Sequence, residues 1–295
     1  MRGPRGLLRV YAPYAGNARP RVINFISIEP VANGKRGQSE METGMESGRA
    51  GLELRTADSL EEATHPRDAA NPSPGRIEKI DGHEALTFFI VPEPFRNGAQ
   101  PVVQVILRRD RPHEVSLRVF AAKESAQMVS CVLSATMGNY ARLRRLSLRD
   151  RIVEAKDLWP TFTPDSWGFA PWKTFQRDQL VPASGDLMVS ASQNEADPAH
   201  AEYDPKVNGG WHYQGERVVQ YWRARDARGT VARVNGRRTY WMSDAPIPGG
   251  IAFENFEMEA PFRAGQEFTF GVEPVRPEKT ELGNVGAPTL GGPRP

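Results

Sequence analysis

Short apolar runs, rich in β-branched and aromatic residues, recur along the chain with Gly, Pro, Asn or Asp between them: RVINFISI, EALTFFIV, VVQVILRR, EVSLRVFAA, DLMVSAS, RVVQYWRA, RRTYWM, GIAFENFEM and EFTFGVE. Residues of this kind suit a pleated, half-buried surface, so the runs predict strands. In RVVQYWRA the alternation puts Val219, Tyr221 and Arg223 on one face and Val218, Gln220 and Trp222 on the other. Asp81-Gly82 joins RIEKI to HEALTFFIV, and Asn235-Gly236 joins TVARV to RRTYWM; each dipeptide supplies the positive φ angles of a tight hairpin turn. Asn97-Gly98 closes a longer hairpin between FFIVPEPF and VVQVILRR, loosened by Pro94 and Pro101. The helical segments, Ser59 to Ala63 and Ala122 to Gln127, are too short to carry a layer. The pattern predicts an all-β fold: an antiparallel β-sandwich or jelly-roll-like pair of twisted sheets with long aromatic-rich loops.

Three stretches break the rhythm. Val31 to Ala50 and Thr56 to Gly75 read as long polar loops, and residues 275–295 as a disordered Pro/Gly-rich tail. Lys156 to Pro182 has neither period yet holds Trp159, Phe162, Trp167, Phe169, Trp172 and Phe175, so it must cover a sheet or wall a cleft. The expected organisation is one large β-sandwich domain over residues 1–274, any subdivision falling near 156–182.

Composition narrows the function. With 295 residues and 39% hydrophobic content the chain can bury a sizeable core, and a net charge of +2 lacks the electrostatic footprint of a nucleic-acid binder. No apolar run approaches the roughly 18 residues of a membrane span. Arg2, Arg5 and Arg9 leave no signal-peptide core, and the first strand starts near Leu7, as in a mature or truncated form. Cys131 is the one cysteine; lying in the strand-like VSCVLSA, it reads as a small buried apolar side chain.

Several enzyme classes fail on spacing. Thr87 and Leu117 stand where a zinc protease needs its second His, and the chain has no Gly-rich phosphate loop, paired-cysteine metal site or nucleophile elbow. Four constellations remain. In NGGWHYQGERVVQYWRA, Trp211, His212 and Tyr213 follow a flexible Gly209-Gly210 and suit a surface that stacks sugar rings. In ARLRRLSLRDRIV, Arg145, Arg149 and Arg151 share one side, either as a guanidinium strip for an acidic polysaccharide or as a solvated sheet face. In GGIAFENFEM, alternation groups Glu254 with Ala252, Phe256 and Met258, which makes it a general acid or half of a buried Glu–Arg pair. The window NEADPAHAEYDP matches no recognised metal spacing and reads first as a hydrated loop, with an irregular calcium site from Glu195, Asp197 or Asp204 as the alternative.

The segments VLSATMGNYARLRRLSL and PGGIAFENFEM, within the strand-rich stretch from about residue 80 to 274, resemble the large β-sandwich domains of bacterial polysaccharide-processing proteins, the galactose-mutarotase-like group among them. The resemblance implies a saccharide-facing concave sheet and an exported protein, extracellular or periplasmic. The two histidines and the glutamate that mutarotases place around a sugar have no counterpart here, so no catalytic residue carries over. The expectation is a protein that recognises a polysaccharide or oligosaccharide. Chemistry on it would be uronate β-elimination, with His212 or Tyr221 as base and Arg145 or Arg149 on the carboxylate, or hydrolysis with Glu254 as acid. The rivals are a non-catalytic carbohydrate-binding module, in which Trp211 and Tyr213 only bind, and a structural or interaction domain.

Overall fold

The alternating runs become strands of two stacked antiparallel sheets in a computed structural model that describes residues 6–12, 21–45, 47–64, 75–136, 140–163, 168–241 and 243–275. In chain order the strands are β1 (Leu8–Ala12), β2 (Arg21–Ala32), β3 (Lys35–Arg36), β4 (Leu54–Ala57), β5 (Arg76–Ile80), β6 (His83–Pro92), β7 (Pro101–Arg108), β8 (Glu114–Ala121) and β9 (Met128–Thr136). They continue with β10 (Arg145–Ser147), β11 (Ile152–Glu154), β12 (Lys173–Gln176), β13 (Val181–Ala183), β14 (Asp186–Ser192), β15 (Val218–Arg225), β16 (Val231–Arg237), β17 (Ala252–Pro261) and β18 (Gln266–Pro274). Two short helices, α1 (Leu60–Thr64) and α2 (Ala155–Leu158), lie at the margins. The seven-stranded sheet runs β1-β2-β9-β17-β16-β12 with β3 on β2; the eleven-stranded sheet runs β11-β10-β14-β15-β18-β8-β7-β6-β4 with β13 and β5 at its sides. The fold is therefore an all-β sandwich.

The core lies between the sheets. Ile26, Ile28, Leu133, Val234, Phe256 and Met258 meet Val105, Leu117, Trp222, Phe268 and Phe270 in one apolar cluster whose members run from Leu7 to Val272. Trp222 is wholly buried, and its indole N–H donates across the sandwich to the Phe256 carbonyl at 2.9 Å, so the ring's one donor is met inside the core. Cys131 is wholly buried, and burial pushes its thiol up to about 12, so it packs as an apolar side chain.

Three local expectations need correction. Asp81 (φ 51°) and Gly82 (φ 84°) do form the tight β5–β6 turn, but Asn235 and Gly236 lie inside β16. There the register with β17 slips by one: Val234 faces Phe256 and Gly236 faces Phe253, so Glu254 and Asn255 together oppose Asn235 in a β-bulge. The Asn235 side-chain oxygen accepts from the Asn255 backbone N–H at 2.9 Å and from its side chain at 3.1 Å, filling the gap in the ladder. Gly236 is needed for close approach, since a Cβ would sit 2.9 Å from the Ala252 carbonyl and 3.0 Å from the Trp159 ring. Val31 to Ala50 is not all loop, because Asn33 (φ 50°) and Gly34 (φ 69°) turn β2 back into β3. Ala122 to Gln127 forms a turn between β8 and β9, not a helix. Trp167 and the tail 276–295 lie outside the described residues. No helix among the described residues is long and apolar enough to cross a membrane.

Candidate functional site

The bulge decides which way β17 presents its acids. Ile251, Phe253, Phe256, Met258 and Ala260 all belong to the central core, whereas Ala252 packs in a separate cluster with Val207, Tyr240, Ala245 and Ile247 on the opposite side of the sheet. Glu254 and Asn255 thus share the outer face with Glu257, which corrects the simple alternation that grouped Glu254 with Phe256 and Met258.

Arg237 ends β16 opposite Ala252 and is 0% exposed. Its guanidinium carbon lies 5.1 Å from the centre of the Phe169 ring and 5.0 Å from that of Trp241, within cation–π range of both. The two ring centres are 5.9 Å apart at 42°, and the rings are themselves 41% and 46% exposed. One Arg237 N–H donates to the Tyr240 carbonyl at 3.1 Å, while Nε and Nη1, both buried, have no hydrogen-bond partner. Phe169 reaches this spot because its segment prolongs the sheet edge. Ala170 N–H donates to the Gly236 carbonyl at 2.8 Å, and β12 pairs with β16 immediately beyond. Trp159 anchors the same segment from inside: its indole N–H donates to the Pro171 carbonyl at 2.8 Å, and its ring meets Phe253 edge-on at 6.0 Å. The 156–182 stretch thus divides its labour, with Trp159 and Phe175 buried in the core and Phe169 and Trp172 facing solvent.

Glu254 is the charge facing Arg237. It is buried, and burial raises its carboxyl to about 7 against the opposing pull of Arg237, with Glu40 raising it further. Its Oε2 has no hydrogen-bond partner. Farther along the same face, Glu29 and Glu257 both bind the Arg36 guanidinium. Burial drives Glu29 up to about 8 in spite of that cation, Glu40 is raised to about 7 by burial and then by Glu257, and Glu257 is raised by burial. Few cations serve these carboxyls, and burial favours the protonated form of each.

The other sequence-derived candidates are placed elsewhere. Tyr221 is buried on the outer side of β15, and its hydroxyl donates to Glu114 at 2.8 Å with Glu273 at 3.1 Å. Burial and those two carboxylates push its ionisation far up, which works against the role of base that its sequence position suggested. Tyr213 is interior rather than surface: it is 2% exposed, packs edge-on against Tyr140 and donates to the Glu216 carbonyl at 2.6 Å. His212 stacks flat on Tyr203 at 4.0 Å, and Trp211 leans on the buried Tyr240 at 5.5 Å. Arg145 sits 3.4 Å from Glu154, and exposed Arg149 lies in the turn between β10 and β11, so the guanidinium strip is a solvated edge in which Arg145 is ion-paired.

The NEADPAHAEYDP window acts mainly through Glu195, whose carboxylate binds Arg142 at 2.9 Å and Arg144 at 3.0 Å. Arg142 also donates to the Pro198 carbonyl at 2.6 Å and to the Tyr203 hydroxyl, locking the 194–213 loop against the linker after β9. Asp197 is taken by His200 at 2.8 Å, and Asp204 caps Lys206 N–H at 2.8 Å. Among the described residues no group of three or more His, Cys, Asp or Glu has the geometry to hold a metal ion.

Comparison of the chain with protein-family models, curated proteins and solved structures finds no significant match. The residues that sequence reasoning missed are Arg237 and its two rings. RRTYWM and GFAPW marked both halves, but only the pairing of β12 with β16 brings them together.

Proposed function

We propose that this protein is a carbohydrate-binding β-sandwich whose ligand stacks on the Phe169–Trp241 platform. The observation that carries the reading is the clamp itself: two half-exposed rings held at a fixed angle over a buried guanidinium. A stacking surface fixed before the ligand arrives loses little entropy on binding, and aromatic faces suit the apolar side of a sugar ring. The stacking role that sequence spacing assigned to Trp211 moves to Trp241, since Trp211 packs against the apolar cluster around Tyr240.

The test is calorimetric titration of a panel of neutral and acidic oligosaccharides into wild type, Trp241→Ala and Phe169→Ala. Each variant should lose at least tenfold in affinity while unfolding stability changes by no more than about 1–2 kcal/mol. Binding that is unchanged in both variants, or absent throughout the panel, refutes the reading. A second reading, hydrolysis of the bound glycan, draws on Glu254 and Glu40, two neighbouring carboxyls each raised to about 7. Release of reducing ends by wild type but not by Glu254→Gln would establish it.

A further inference from the structure

We propose that Arg237 reads an anionic substituent, a carboxylate or sulfate, on the glycan that stacks on Phe169 and Trp241, and that the ligand anion takes over the place of the Glu254 charge. The inference rests on the platform reading and adds the chemical class of its ligand. A guanidinium that is 0% exposed, with no protein acceptor on Nε or Nη1, carries two donors that are shielded from bulk solvent and unmet by the protein. The rings beside it offer π faces and no oxygen. A charged oxygen entering between the half-exposed rings is the acceptor these donors lack, and Arg is the residue suited to it.

The anion has a competitor in Glu254. The charged groups set around that carboxyl among the described residues are Arg237, from β16, and Glu40, from the segment after β3. Two anions on one buried guanidinium repel, so an arriving carboxylate is accommodated when Glu254 takes up a proton. The carboxyl already lies at about 7, so this costs little near neutrality. No covalent step is involved: where Glu254 is ionised beforehand, one proton moves from solvent to its carboxylate for each anion bound, and where it is already protonated none moves.

The linkage gives a measurable number. If the binding-competent form is the protonated one, its fraction falls about tenfold between pH 6 and pH 8, and the apparent Kd rises by the same factor. A uronate carboxyl, with a pKa near the ordinary carboxylate value of about 4, stays ionised across that range, so the ligand contributes no titration of its own.

The experiment compares an oligogalacturonate with its neutral oligosaccharide counterpart at pH 6 and pH 8 by calorimetry, in buffers of different ionisation enthalpy so that proton uptake is read directly. Wild type should prefer the acidic ligand, bind it about tenfold tighter at pH 6, and take up close to one proton at pH 8. Glu254→Gln should keep the preference and lose both the pH dependence and the proton uptake. Arg237→Lys, which retains the buried charge, should weaken acidic binding more than neutral binding. Equal binding of both ligands, still abolished by Trp241→Ala, overturns the proposal and leaves the platform standing. Binding of neither ligand overturns both. An acidic preference unchanged in Glu254→Gln, with the same pH dependence as wild type, removes Glu254 from the linkage and overturns the proposal as stated.

Discussion

Replacing Glu254 by Gln deletes one titration from the outer face of the seven-stranded sheet and nearly preserves the shape of the side chain. In the folded protein the carboxyl is raised from 4.5 to about 7. The native state therefore holds this proton more tightly than the unfolded chain, and the stability tied to it is complete below about pH 4.5 and lost as pH rises through about 7. At about 1.4 kcal/mol per pH unit, the full loss is about 3 kcal/mol. Glu29 and Glu40 titrate in the same sense, so wild type should weaken steadily from acid to alkaline pH. The Glu29 contribution is common to both proteins and drops out of the difference, while repulsion between Glu40 and Glu254 is present only in wild type and widens the gap in the same direction. Urea unfolding of the two proteins at intervals from pH 5 to pH 8.5 should give matching stabilities at the acid end, where Glu254 is already neutral. The Gln variant should then lead by about 2–3 kcal/mol at the alkaline end. A gap that stays constant with pH refutes the reasoning. An alkaline disadvantage for Gln would show that Arg237 depends on an ionised partner.

Two further substitutions test packing elsewhere in the sandwich. Glu195→Ala leaves two buried guanidinium groups, Arg142 and Arg144, without their carboxylate and should cost about 3–5 kcal/mol, whereas removing half-exposed Arg145 should cost about 1 kcal/mol or less; comparable losses in urea unfolding would contradict the buried clamp. Gly271→Ala would drive a methyl into the Tyr221 ring lying across it on the neighbouring strand, so it should cost about 1–3 kcal/mol, and much less in a Tyr221→Ala background.

The strands were legible because alternation and turn residues act locally. β15 puts Trp222 inward and Tyr221 and Arg223 outward as its sequence reads, and Asp81-Gly82 turns where a hairpin was expected. Asn235-Gly236 shows where local signals stop. The dipeptide is compatible with a tight turn or with a bulge, and only the partner strand, with Trp159 packed against Gly236, selects the bulge. The site was less legible for the same reason. Arg237 and Phe169 are far apart in the chain and meet through the pairing of β12 with β16. Tyr213 looked like a surface ring because it follows two glycines, yet the Arg142–Glu195–Tyr203 network folds its loop inward. Charge was misleading in one direction: the arginine strip that spacing made conspicuous is solvated, while Arg142, Arg144 and Arg237 are buried.

The extra residue in β17 has a consequence for how the protein could change. On one side of the bulge Phe256, Met258 and Ala260 point inward, on the other Ile251 and Phe253 do, and the strand works as two reading frames spliced at Asn255. Deleting Asn255 would merge the frames into one plain alternation that keeps Ile251, Phe253 and Phe256 inward and Glu254 outward, whereas flattening the bulge with Asn255 retained would turn Ile251 and Phe253 toward the outer face and Glu254 toward the interior. Substitutions at Asn235 or Asn255 instead loosen the splice while Phe256 to Ala260 keep their packing. The rim that holds Glu254 and faces Arg237 can thus be re-aimed separately from the centre of the sheet, giving a lineage room to alter that rim while it keeps one interior.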